Sequence, residues 1–242
     1  HSFLVYKIIS NTMKAKIIES KPIKEKGKDF MGIDLDSMKS KVTNKTKVIF
    51  IANPGNPTGT IVPINEIENF IKKISKKIII VIDEAYYEYS SHYGFKSAVN
   101  LLAKYSNIVV TRSFSKIYAL AGIRVGYGLA SADIVSEFDK IRQPFNVNYI
   151  AQKMAVASLE DEKYLKRSLE LNDSGMEFLK LELNKLGIPY LNTYTNFITM
   201  HLGSRTQKVY EILLSEGVIL RSLENYGLPS YLRVTIGTKE EN

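Results

Sequence analysis

The stretch that decides the fold is IIIVID at residues 78–83. Five consecutive β-branched apolar residues, with no polar alternation, describe a strand buried on both faces, the kind found in parallel sheets covered by helices. The run stops at Asp83. Upstream, KVIFIA at 47–52 has the same texture and ends in the turn-rich NPGNPTG at 53–59. Pro63 then opens a helix whose Ile64, Ile67, Ile71 and Ile74 share one face. Downstream, IVVT at 108–111 is a third strand ending at Arg112-Ser113, and VGYGLA at 125–130 is a fourth. Strands alternating with helices predict an α/β protein with a mostly parallel sheet and flanking helices.

The texture changes from Val147 onward. Leu165, Leu169, Met176, Leu179, Leu183 and Leu186 fall near heptad spacing and predict core packing between long helices, closed by Gly187-Ile188-Pro189. Strand-like residues 196–202, helix-like 206–215 and strand-like 218–221 and 232–236 follow. We expect a large domain over 1–155 and a smaller α+β C-terminal domain over 156–242, with the boundary inside helix.

Composition narrows the function classes. Hydrophobic residues at 45% and charged residues at 24% suit an ordinary globular protein. No stretch approaches the ~20 apolar residues of a membrane span, and the expected setting is the cytoplasm. With no Cys and only three His, disulfides and thiol chemistry are ruled out and a structural zinc site nearly so, so no metal is expected. The net charge of +8 comes from Lys residues spread along the chain, a solvated surface without a nucleic-acid motif. The chain opens at His1 on residues with the look of a domain interior, so we expect a piece of a longer protein, trimmed at the front and slightly at the back.

Open α/β sheets bind ligands at the carboxyl ends of their strands. Asn56 follows the first strand, Asp83, Glu84 and Tyr86 the second, and Ser113, Ser115 and Lys116 the third, with Arg124 shortly after. Singly, each has a bland reading: a surface lysine, a helix-capping aspartate, a plain turn, tyrosines at the edge of the core. The order and combination carry the weight.

At these residues the chain resembles the fold-type I aminotransferases that depend on pyridoxal 5′-phosphate (PLP). The matching pieces are ANPGNPTGT at 52–60, VIDEAYYEY at 81–89 and SFSKIYALAGIRVGY at 113–127. HSFLVY at 1–6, RQPFNVN at 142–148, GVILRSL at 217–223 and LRVTIGTKEEN at 232–242 are similar to the histidinol-phosphate branch of that family. The resemblance implies PLP as cofactor, with Lys116 as the catalytic amine that joins its aldehyde and then shuttles a proton. It further implies that Asp83 pairs with the pyridinium nitrogen, Asn56 and Tyr86 bind O3′, Ser113, Ser115 and Arg124 hold the phosphate, and Phe3 stacks on the ring. Arg233 matches the residue for the substrate α-carboxylate, and Arg221 matches a position for the substrate phosphate. Arg142 has no assigned role.

The Gly-rich phosphate loop and the N-terminal arm that accompany these motifs in the family are not in this sequence. The resemblance implies a homodimer acting on small, phosphorylated amino acids and keto acids: histidinol phosphate with 2-oxoglutarate. A threonine-phosphate decarboxylase, another class I/II aminotransferase, a non-catalytic PLP-binding regulatory domain and an inactive fragment are the alternatives.

Overall fold

A computed structural model of the chain describes residues 1–24 and 30–242. They form two compact units, one from His1–Asp34, Gly55–Ile61 and Glu170–Asn242, the other from Leu35–Pro54 and Val62–Leu169. These units interleave in sequence, whereas the expected domains are consecutive stretches meeting at 155/156.

The second unit holds a four-stranded sheet in the order β1-β2-β3-β4, formed by β1 (Val48–Ala52), β2 (Ile79–Asp83), β3 (Ile108–Ser113) and β4 (Gly126–Ala130). β1, β2 and β3 run parallel, and β4 returns antiparallel beside β3. The sheet is thus mostly parallel, as the apolar runs predict. Ile51, Ile80, Ile82, Ile108 and Val110 are fully buried, and each such side chain contributes about 1.5–3 kcal/mol of transfer free energy. The helix Ile64–Lys72 buries Ile67, Phe70 and Ile71. At the amino end of the strands, buried Asn107 donates its side-chain amide to Ile78 O at 2.8 Å.

At the opposite end, Asn53 N donates to Asp83 O and Glu84 N to Thr111 O, both at 2.9 Å. The Asn53 side chain bonds Val62 twice, accepting from its N at 2.7 Å and donating to its O at 2.9 Å. That clamp lets the chain leave this unit at Pro54 and re-enter it at Val62.

The other unit contains an antiparallel sheet ordered β5-β7-β6, formed by β5 (Phe197–His201), β6 (Arg221–Ser222) and β7 (Tyr231–Thr235). Met176, Leu183, Ile198, Met200, Leu202, Leu232 and Ile236 make its core. Met176 and Leu183 come from the long helix Glu162–Lys185, and Leu179 packs beside them. Leu186 departs from the predicted stripe: it lies past the helix end and is 69% exposed. The strand predicted at 218–221 is also displaced. Only Arg221 and Ser222 find partners on β7, while Val218 and Ile219 stay exposed after the left-handed turn at Gly217 (φ 80°).

The start of β4 is sterically tight. A Cβ added at Gly126 would lie 2.8 Å from the backbone oxygen of Arg112, whose strand it pairs with. Gly126→Ala is expected to destabilise the protein by about 1–3 kcal/mol in urea unfolding. Gly122→Ala, whose added atom meets nothing nearby, serves as the neutral control.

Candidate active site

The unit with the parallel sheet carries Asp83, Tyr86, Ser113, Ser115, Lys116 and Arg124. Asp83 is the last residue of β2, half-buried, and its Oδ1 accepts a hydrogen bond from Ala85 N at 3.1 Å. That bond turns the chain away from the sheet and leads into Tyr86, a buried residue. Ser113 is the last residue of β3, and its Oγ accepts from Ser115 N at 3.0 Å. Lys116 follows on a turn closed by Ala119 N donating to Lys116 O and by Leu120 N donating to Phe114 O. Buried Phe114 and Ile117 pin that turn on either side, so the lysine itself is left exposed. Its Nζ stands 5.4 Å from the centre of the Tyr86 ring.

The same segment holds two non-glycine residues in left-handed backbone, Ala119 (φ 55°) and Arg124 (φ 61°). Each costs an L-residue roughly 1–2 kcal/mol. Arg124 is exposed, and its guanidinium folds back to donate to Ala121 O at 2.7 Å.

Phe3, Asn56, Arg221 and Arg233 belong to the other unit. There Arg233 Nη1 donates to Asn56 Oδ1 at 2.5 Å. The guanidinium lies 4.6 Å over the Phe197 ring, and its Nε is buried without a hydrogen-bond partner. Arg221 is exposed and stands directly opposite Arg233 in the β6–β7 register. Phe3 is half-buried and meets Tyr6 edge-on at 5.7 Å. Arg142 is exposed and forms an ion pair with Asp139 at 2.9 Å.

Sequence reasoning missed a buried polar cluster on the parallel-sheet unit. Arg112 donates Nε to Glu84 Oε2 at 2.9 Å and lies with Nη2 2.8 Å from the same oxygen. Glu84 also accepts from Ser97 Oγ at 2.7 Å and Ala98 N at 2.6 Å. Arg112 Nη2 donates to Ser97 Oγ at 2.9 Å, Nη1 lies 3.6 Å from Glu88, and the Tyr87 ring stacks 3.8 Å from the guanidinium carbon. Burial raises the Glu88 pKa, and nearby Glu84 adds to the rise against the opposing pull of Arg112. Burial acts to lower the Arg112 pKa, but the charge and hydrogen bond of Glu84 outweigh it and hold it raised. The available signal was a charged residue at the end of each of two buried, apolar strands.

Among the described residues, no group of His, Cys, Asp and Glu could hold a metal ion, and no helix is long and apolar enough to cross a membrane.

Residues 2–242 match the aminotransferase class I and II family, and the chain belongs to it. Its relatives include histidinol-phosphate aminotransferase 1 of Idiomarina loihiensis, 43% identical, and histidinol-phosphate aminotransferase of Methylobacillus flagellatus, 42% identical. Both alignments cover all of this chain and 64% of the relative. The crystal structure of histidinol-phosphate aminotransferase from Clostridium acetobutylicum superposes with a TM-score of 0.91 at 28% identity, over 99% of this chain and 72% of that one. The enzyme from Sinorhizobium meliloti, solved in complex with pyridoxal-5′-phosphate, gives 0.89 at 24% identity, over 99% and 65%. That last likeness bears on the fold alone.

A carboxyl whose folded pKa lies above its usual 4.5 folds more readily when protonated. Its contribution is complete below the unfolded pKa and is lost as pH rises through the folded one. Glu88→Gln is therefore expected to raise the melting temperature at neutral pH, with the gain disappearing towards about pH 4. An equal or lower melting temperature at neutral pH would mean that the contact with Arg112 outweighs burial.

Proposed function

We propose that the full-length protein is a PLP-dependent aminotransferase that exchanges an amino group between histidinol phosphate and 2-oxoglutarate. The observation that carries the reading is an exposed Lys116 on a pinned turn beside the Tyr86 ring, just beyond the parallel strands that end at Asp83 and Ser113. The names of relatives about 40% identical over the whole chain support the substrate pair.

The residues present fit PLP by their chemistry. When bound, PLP supplies an aldehyde that captures amines and a ring that withdraws electrons once its nitrogen is protonated. Lys116 is an exposed amine on a short turn, suited to bind the aldehyde. With the cofactor bound, the Lys116 amine would move a proton between the substrate Cα and the carbon that carried the aldehyde, the work of a general base and acid. Asp83 provides the carboxylate that keeps a nearby ring nitrogen protonated. Ser113, Ser115 and Arg124 provide hydroxyls and a guanidinium for a phosphate. Tyr86 offers a phenol beside the lysine.

The remaining assignments follow the family resemblance: Phe3 and Asn56 serve the cofactor, and Arg221 and Arg233 serve the substrates. The β6–β7 register supports the last pair. Two arginines directly opposite each other repel, and an anionic substrate relieves that repulsion. The enzyme is read as a cytoplasmic homodimer.

In the full-length protein, borohydride reduction after PLP loading is expected to fix the cofactor on the peptide containing Lys116, read by mass spectrometry. Lys116→Ala is expected to abolish that adduct and to lower transamination at least about a thousandfold. An adduct that persists in Lys116→Ala would sink the assignment. Carbon dioxide release without a keto product would replace the aminotransferase with a decarboxylase.

A further inference from the structure

The Arg112–Glu84 cluster is built more elaborately than a stabilising ion pair requires. Side-chain exposure is 11% at Arg112 and 4% at Glu84, and buried pairs of this kind are weak contributors to stability because desolvation offsets their attraction. Its placement is the informative feature. Glu84 directly follows Asp83, Tyr87 directly follows Tyr86, and Arg112 directly precedes Ser113 at the start of the turn carrying Lys116. Three of the proposed cofactor residues thus each have their chain neighbour in one cluster.

The backbone register between β2 and β3 ends at Asp83 opposite Thr111, followed by the bond from Glu84 N to Thr111 O. The next link between the two chain segments is Arg112 to Glu84. That link has little freedom. The Glu84 carboxylate is saturated by Arg112, Ser97 Oγ and Ala98 N. The guanidinium is held by Glu84 and Ser97, stacked on Tyr87 and approached by Glu88. A planar fork held on its edges and one face fixes distance and direction, which a point charge cannot do.

We propose that Arg112 and Glu84 are positioning residues for PLP: their fork-and-carboxylate lock fixes Asp83 relative to the Ser113–Lys116 turn. This rests on the PLP reading of the site. Neither residue needs to touch cofactor or substrate. A misplacement of about 1 Å in such a constellation is enough to cost about a hundredfold in function.

The test uses the full-length protein, stripped of cofactor and titrated with PLP. Three quantities are read: the PLP dissociation constant, the pH midpoint of the visible band of the lysine-bound cofactor, and the melting temperature of the cofactor-free protein. Arg112→Lys keeps the charge and loses the fork; Glu84→Gln keeps the shape and loses the charge. Both are expected to weaken PLP binding about tenfold or more and to shift the band midpoint. Ser97→Ala, a milder change that removes one hydroxyl from the lock, shifts the midpoint in the same direction by less. Asn107→Ala, which breaks a buried bond at the far end of the same strands, lowers the melting temperature and leaves the midpoint in place.

Midpoints and dissociation constants within about twofold of wild type in Arg112→Lys, Glu84→Gln and Ser97→Ala overturn the proposal. It is equally overturned if Asn107→Ala, at a matched loss of melting temperature, moves the midpoint as far. A wild-type protein in which borohydride fixes no PLP to Lys116 fells the functional reading first, and this proposal with it.

Discussion

Asp83 and Thr111 stand side by side because parallel strands run in register to a common edge. The apolar core alone does not set that register. Residues 79–82 and 108–110 are apolar on both faces of the sheet. A one-residue slip would therefore exchange one buried apolar side chain for another, and burial penalises slippage only where the two faces differ. Polar groups at the strand ends supply what the core lacks. Asn107 anchors the amino end through Ile78 O, and Arg112 with Glu84 anchors the carboxyl end. A slip of either strand would leave a charge buried without its partner, at a cost of about 3–5 kcal/mol. The edge where chemistry is proposed is thus held by side chains that the hydrophobic pattern does not specify.

Much of this was legible in the chain, for identifiable reasons. Runs of β-branched residues end abruptly at Asp83 and near Ser113, so strand ends and the residues beyond them could be read directly. The mostly parallel α/β class followed from strands separated by helix-length segments. The direction of β4 was not legible, because a short segment after Ser113 is compatible with either a return or a crossover. Pairing of Arg112 with Glu84 depends on register between strands and leaves no local mark. Strand β6 was misplaced because Val218 and Ile219 have the composition of a strand but no neighbour to pair with. Interleaving of the compact units was hidden for a related reason. Gly55–Ile61 lies next to β1 in sequence but belongs with the later residues, joined there by Thr199 Oγ1 donating to Pro57 O at 2.6 Å and Tyr194 N donating to Gly59 O at 2.9 Å.

Unfavourable local energetics occur at several residues that the family resemblance links to function, although Lys14, Met31 and Phe145 share the left-handed backbone and Asn172 also buries an unpartnered atom. Arg124 is a non-glycine residue in left-handed backbone, and Ala119 shares that conformation three residues after Lys116. Arg233 buries an unpartnered Nε and faces Arg221 across β6–β7. A chain selected for stability alone would place glycine at the first two positions and an opposite charge at Arg221. Sequences usually agree with their fold at every level, and functional sites are one place where exceptions occur. In the proposed function, the arginine pair also bears on the charge of the substrate. One carboxylate would be bound well by Arg233 alone, already steadied by Asn56 and Phe197. A second guanidinium opposite it becomes favourable when the ligand is more highly charged, and a phosphate monoester brings about −1.5 to −2 near neutral pH. Under the proposed function, the like-charge pairing across β6–β7 is the counterpart of a multiply anionic substrate.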